Sequence, residues 1–276
     1  PFAERWFIDM SLLLCRQEAV SRPYYVEPLD IHLYSSQELC YVIVHHPLLV
    51  MEDFVDERLI GFIRDELNMG GLAGKLEKWK AAGENPDEML FFILSECFYY
   101  TPSEISQYRQ QVAALRKKHP AEFEKERADY LFGIRQYGKA VQIYGKVLES
   151  PRDETVNDAF LGKVWNNLGA AYARLFQTSK AFYAYEKARE YLKTEEPVER
   201  MYFLAGINPE LKEKLPETAG EKRREWEERA AAAREEAYQS RELLKLEQMF
   251  EQDPEKGKNE AAKLVKKWRQ EYRSMV

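Results

Sequence analysis

The sequence predicts an all-α protein: an α-solenoid of antiparallel helix pairs, preceded by a helical amino-terminal part and closed by a long carboxy-terminal helical hairpin. Three observations carry this. From Ser35 onward apolar residues recur at helical spacing, and breaks bearing proline or glycine cut the chain into lengths of one helix each. After Pro120, two segments repeat one order of small and aromatic residues.

The first element is the exception. Tyr24-Tyr-Val-Glu27 and Ile31-His-Leu-Tyr34 are short runs of β-branched and aromatic residues around Pro28-Leu-Asp30, which predicts a β-hairpin over 24–34 with His32 on its outer face. Helices follow. Leu39, Val42 and Ile43 form one apolar set, and Leu59, Ile60, Ile63 and Leu67 the next, with Ser36 and Asp56 as their N-terminal caps. Gly70-Gly71 and Gly83-Glu-Asn-Pro86 punctuate helices near 72–82 and 87–100. Pro102 opens another helix to about Lys118, and His119-Pro120 marks the next break.

The chain thus divides into a mostly helical region 1–119, a repeat region 120–215 and a closing region 216–276. In the last, Glu221 to about Gln252 reads as one long charged helix with Trp226, Ala230, Ala233, Ala237, Leu244 and Met249 on its apolar side. Asp253 to Gly257 turns the chain. A final helix with Leu264, Val265, Trp268 and Tyr272 is expected to fold back near Leu244 and Met249 as a cap, while the Ala-rich start packs on the last repeat.

Composition narrows the function. The 276 residues are 45% apolar, enough for a sizeable core, and hold no apolar run long enough for a membrane span. The net charge of -6 lies in the amino-terminal part: residues 1–119 carry 18 acidic against 12 basic residues, and 120–276 carry 29 of each. No concentrated basic surface points to nucleic acid. Residues 1–9 lack the basic start and cleavage site of a secretory signal, and Met10 is a candidate start. Cys15, Cys40 and Cys97 are odd in number and far apart, which argues against a disulfide framework or zinc site and for a reducing cytoplasm.

Candidate chemistry is sparse. Gly70-Gly-Leu-Ala-Gly-Lys-Leu76 lacks the spacing, the terminal hydroxyl and the preceding strand of a phosphate-binding loop, and reads as a turn between helices. His45-His46-Pro47 points its imidazoles about 100° apart and reads as a helix end. Phe91-Phe92 and Phe98-Tyr-Tyr100 read as core. No convergent set of titratable groups suggests an active site, and neither metal nor cofactor is expected.

The repeat is the informative part. Trp165, Leu168, Gly169 and Tyr172 are followed by Ala181, Tyr185 and Ala188; upstream, Ala128 and Leu131 are followed by Ala140, Tyr144 and Val147 in the same order. Small residues at Gly169 and Ala181 let two antiparallel helices approach to about 8–10 Å. Ala140 and Ala181 lie 41 residues apart; against the 34-residue period of the tetratricopeptide repeat, which this order of residues resembles, about seven are extra, and they are expected to lengthen the second pair's first helix through Glu154 to Phe160.

This pattern resembles the tetratricopeptide repeat (TPR) family over about residues 120–215. The resemblance implies a groove, lined by the first helix of each pair, that holds a peptide or helix of a partner protein. Its groove positions fall on Lys163, Asn166, Asn167, Ala170 and Arg174, and in the weaker repeat on Glu122, Lys125, Glu126 and Asp129. Some relatives clamp a terminal carboxylate there, but Ala170 and Asp129 stand where that clamp uses Asn. The expectation is a non-catalytic cytoplasmic adaptor whose partner is a protein, with no nucleic acid and no membrane, working as a monomer or as a dimer through the carboxy-terminal helices. The alternative is an accessory subunit whose acidic amino-terminal region contacts a basic protein or a transcription factor.

Overall fold

The computed structural model describes residues 20–51, 53–218 and 220–276; residues 1–9, Met10 and Cys15 lie outside them. Among the described residues the fold is all-α apart from one two-stranded sheet, and the chain forms two compact units that meet in sequence between Lys118 and His119.

In the first unit β1 (Tyr24–Val26) and β2 (Ile31–Leu33) pair antiparallel with Tyr24 opposite Leu33, as the alternation predicted. Leu33 and Val26 face the core and His32 faces out, but Ile31 at the strand end is 38% exposed. Six helices follow: α1 (Ser36–His45), α2 (Pro47–Val50), α3 (Glu57–Asp65), α4 (Gly70–Ala81), α5 (Pro86–Cys97) and α6 (Pro102–Arg116). The cap of α1 is Ser35, one residue before the expected Ser36: its hydroxyl accepts from the Glu38 amide at 3.1 Å. Asp56 caps α3 as expected, accepting from Leu59. Thr101 and Glu104 form a reciprocal capping box on α6, in which each side chain meets the other's backbone N–H.

Two further expectations fail in this unit. Gly70-Gly71 is not the turn; it is the first turn of α4, and the chain reverses at Asn68, whose φ of 55 places it in the left-handed region that asparagine tolerates. Phe98 is not core. It ends α5 at a φ of 52, which swings its ring outward, 87% exposed, while Phe91 stays buried. The buried Asp87 accepts from Arg116 at 2.9 and 3.0 Å while the same guanidinium donates to the Met51 carbonyl.

The second unit holds α7 (Pro120–Gly133), α8 (Tyr137–Leu148), α9 (Asp158–Arg174), α10 (Thr178–Leu192), α11 (Glu196–Ile207), a 3-10 segment (Pro209–Lys214), α12 (Gly220–Tyr238), α13 (Arg241–Gln252) and α14 (Pro254–Met275). Its architecture is repeat-like in detail. The α7–α8 and α9–α10 connections are the same turn: Arg135 and Phe176 take φ of 64 and 55, and the next residues, Gln136 and Gln177, donate their N–H back to Leu131 and Tyr172 at 2.8 and 2.9 Å. Each glutamine carbonyl then accepts the N–H of the small residue four places on, Ala140 or Ala181.

Gly169 lies against Tyr185, since a Cβ there would stand 2.7 Å from the ring. Gly162, two turns earlier on α9, lies against Leu192 in the same way. Tyr185 in turn shares a buried cluster with Ala181, Phe182, Met201, Leu204 and Ala205, which carries α11 onto α10.

Of the residues expected to lengthen α9, Asp158 to Phe160 join it and 154–157 do not. Pro151 breaks the helical run, and Asp153 accepts the amides of Thr155 and Val156 at 2.8 and 2.7 Å. His119 Nε2 stands 2.9 Å from the Asp153 carboxylate, Val156 plugs the core, and Asn157 starts the helix by accepting from Phe160.

The long charged helix is also two. α12 packs on α11 through Trp226 against Tyr202, with ring centroids 5.4 Å apart, and it ends at Tyr238. Ser240, with a ψ of 142, starts α13 in a new direction. Ala233 and Ala237 are exposed in consequence, and the residues that α13 turns inward are Leu243, Leu246 and Met249 rather than Leu244. The hairpin of α13 and α14 forms as expected. Phe250 covers Gly257, and Lys267 reaches back to Glu242 at 2.9 Å. The end of α14 lies beside both repeated turns: Gln136 donates to the Ser274 carbonyl at 3.0 Å, and Tyr272 to that of Leu175 at 3.4 Å.

Candidate binding groove

The expected groove positions form a row along α9 because residues three and four apart share a helix face. One side of α9 is committed to the core by Leu161, Val164, Leu168 and Ala171. Lys163, Asn166, Asn167, Ala170 and Arg174 occupy another. Lys163 and Arg174 are exposed, and no ion pair among the described residues involves either; Asn166, Asn167 and Ala170 between them are half-buried. The two cations lie 11 residues apart, about 16 Å along the axis, so they cannot converge on one carboxylate.

The structure brings Lys125, Asp129 and Asn167 together. On α7, Lys125 Nζ stands 2.6 Å from Asp129 Oδ2. The other carboxylate oxygen accepts from the Tyr144 hydroxyl of α8 at 2.5 Å and from Asn167 Nδ2 of α9 at 2.8 Å. One carboxylate therefore ties three helices. Burial, followed by the charge of Asp129 and its hydrogen bond, pushes the Tyr144 hydroxyl well above its ordinary pKa, so it remains a donor. Asn166 Oδ1, by contrast, is shielded from solvent and accepts no hydrogen bond.

Lys125 and Asp129 thus satisfy each other, and the exposed charges along the row are Lys163 and Arg174 on α9 and Glu122 at the start of α7. Two contributors were not singled out as site residues. Tyr144 was assigned only to the repeat signature, although a buried tyrosine hydroxyl requires a partner. Gly162 was overlooked, although its seven-residue spacing from Gly169 places both on one face.

The strip has no nucleophile beside a base. Among the described residues, no group of three or more His, Cys, Asp or Glu side chains is placed to hold a metal ion, and no helix is long and apolar enough to cross a membrane. What the arrangement offers is a polar surface with two separated cations and half-buried amides between them on α9, and an exposed carboxylate, Glu122, on α7. No family model, no curated protein and no solved structure matches the chain.

Proposed function

We propose that the protein is a non-catalytic, tetratricopeptide-like binding scaffold of the cytoplasm, and that the α7–α9 strip holds an extended segment or helix of a partner protein. The observation that carries this reading is the junction of Asn167 with Asp129. It joins corresponding faces of successive helix pairs into one continuous strip, which is the surface a repeat protein uses for binding. The identical turns before α8 and α10 support the family reading, and Cys40 and Cys97, neither in a disulfide, suit a reducing compartment.

The separation of Lys163 and Arg174 favours a segment over a single terminal carboxylate. About 16 Å matches roughly five residues of extended chain, so acidic side chains spaced by that length fit the two cations. Panning a random peptide library on the intact protein tests this. Enriched peptides should be acidic and should bind the K163E/R174E variant about tenfold or more weakly, a loss of at least 1.4 kcal/mol. Equal affinity for both proteins would place the binding surface elsewhere.

A further inference from the structure

The α13–α14 hairpin has two unlike sides. On one, Glu242 pairs with Lys267 at 2.9 Å and Lys263 with Glu260 at 2.6 Å, closing a polar ladder over Leu246, Met249 and Leu264. On the other, an apolar stripe lies open. Phe250 is 38% exposed, Val265 40% and Trp268 43%. Two helices cannot bury both sides of their own seam, and Val265 and Trp268, three residues apart on one face beside Phe250, leave room for another helix.

The borders of this open side differ in sign. At about 100° per residue, the α13 border carries Glu247 and Glu251, and the α14 border carries Lys258, Lys266, Arg269 and Arg273. Among the described residues no ion pair involves any of these except Lys258, which meets Glu255 at the surface. An acidic partner or an anionic lipid surface would suit the basic border and be repelled by the acidic one. A second copy satisfies both.

We propose that two copies of the chain associate through this side of the hairpin, forming a four-helix bundle with α13 of each copy against α14 of the other. The twofold axis then runs along the bundle and preserves height. Phe250 lies level with Gly257, and Glu242 with Lys267, within one hairpin. Glu251 of one copy therefore comes level with Lys258 of the other, and Glu247 falls between Lys258 and Lys266. The apolar stripes close the core, and the opposite borders meet twice by symmetry. The surface is separate from the α7–α9 strip and does not depend on the reading of that strip.

Sedimentation velocity of the intact protein over a range of concentrations tests the proposal. The wild type should dimerise, and V265D/W268E should be monomeric with its helical circular dichroism retained. The border variants E247K/E251K and K258E/K266E alter exposed positions only, and each should associate at least about tenfold more weakly. An equimolar mixture of these two variants should regain wild-type affinity, because both interfaces of the mixed dimer again pair acid with base. A protein that stays monomeric throughout overturns the proposal, and so does a dimer indifferent to all these changes. So does a monomer that pellets with phosphatidylserine vesicles and loses that binding in V265D/W268E.

Discussion

Asn167 Nδ2 donates to Asp129 Oδ1 at 2.8 Å, so an amide of α9 completes the carboxylate that α7 and α8 already share. Removing the carboxylate is costly because it orphans three donors together. Asp129→Ala should destabilise the protein by about 1–3 kcal/mol, with Tyr144 left buried and unpaired. Urea unfolding of Asp129→Ala, Asn167→Ala and the double variant reads the coupling. The pair should be non-additive, the double variant losing less than the sum of the single losses.

The glycines of the second unit separate into two kinds. Gly169 meets the buried Tyr185 ring, which has no room to withdraw, so Gly169→Leu should cost about 1–3 kcal/mol or more. Ala181→Trp, in the same cluster, should do likewise. Gly145 on α8 has nothing within 4 Å of where a Cβ would stand, so Gly145→Ala should stabilise by about 0.5–1 kcal/mol through helix propensity alone. Thermal melts of the three variants should order them in that way.

The same contrast explains what was legible in the sequence. Gly169, Ala181 and Tyr185 announce a helix crossing because close approach restricts residue size locally, and Asp56 and Pro102 announce helix starts because capping is local. The break at Ser240 was not legible. The composition of 221–252 favours helix throughout, and the chain bends because Trp226 must face α11 while Leu246 and Met249 face α14. The stretch 154–160 was legible only in part, for the opposite reason. Seven residues suit two helical turns, yet Pro151 and the Asp153 turn outweigh that periodicity. In the groove, the α9 row was readable by alignment, but the closure of Lys125 on Asp129 depends on Tyr144 and Asn167 arriving from other helices.

His46 should make stability depend on pH. Burial, with the neighbouring His45 charge adding to it, lowers its pKa from 6.5 to about 4, so the folded protein holds the imidazole neutral. A depressed folded pKa stabilises fully above the unfolded value, and that contribution is lost as pH falls from 6.5 toward 4. Melting temperatures across this window should fall for the wild type and fall less for His46→Asn.

The proposed binding strip is tested most directly by placing a photo-crosslinking amino acid at Ala170, between Lys163 and Arg174, in the intact protein inside its own cells. A control position at Glu186, on the exposed side of α10, completes the measurement. A discrete protein adduct should form from position 170 and disappear when K163E/R174E is added, with the melting temperature unchanged because exposed charge changes usually stay within about 0.5 kcal/mol. Adducts from position 186 alone, or adducts from 170 that persist in the charge-reversed protein, would contradict a partner held along α9.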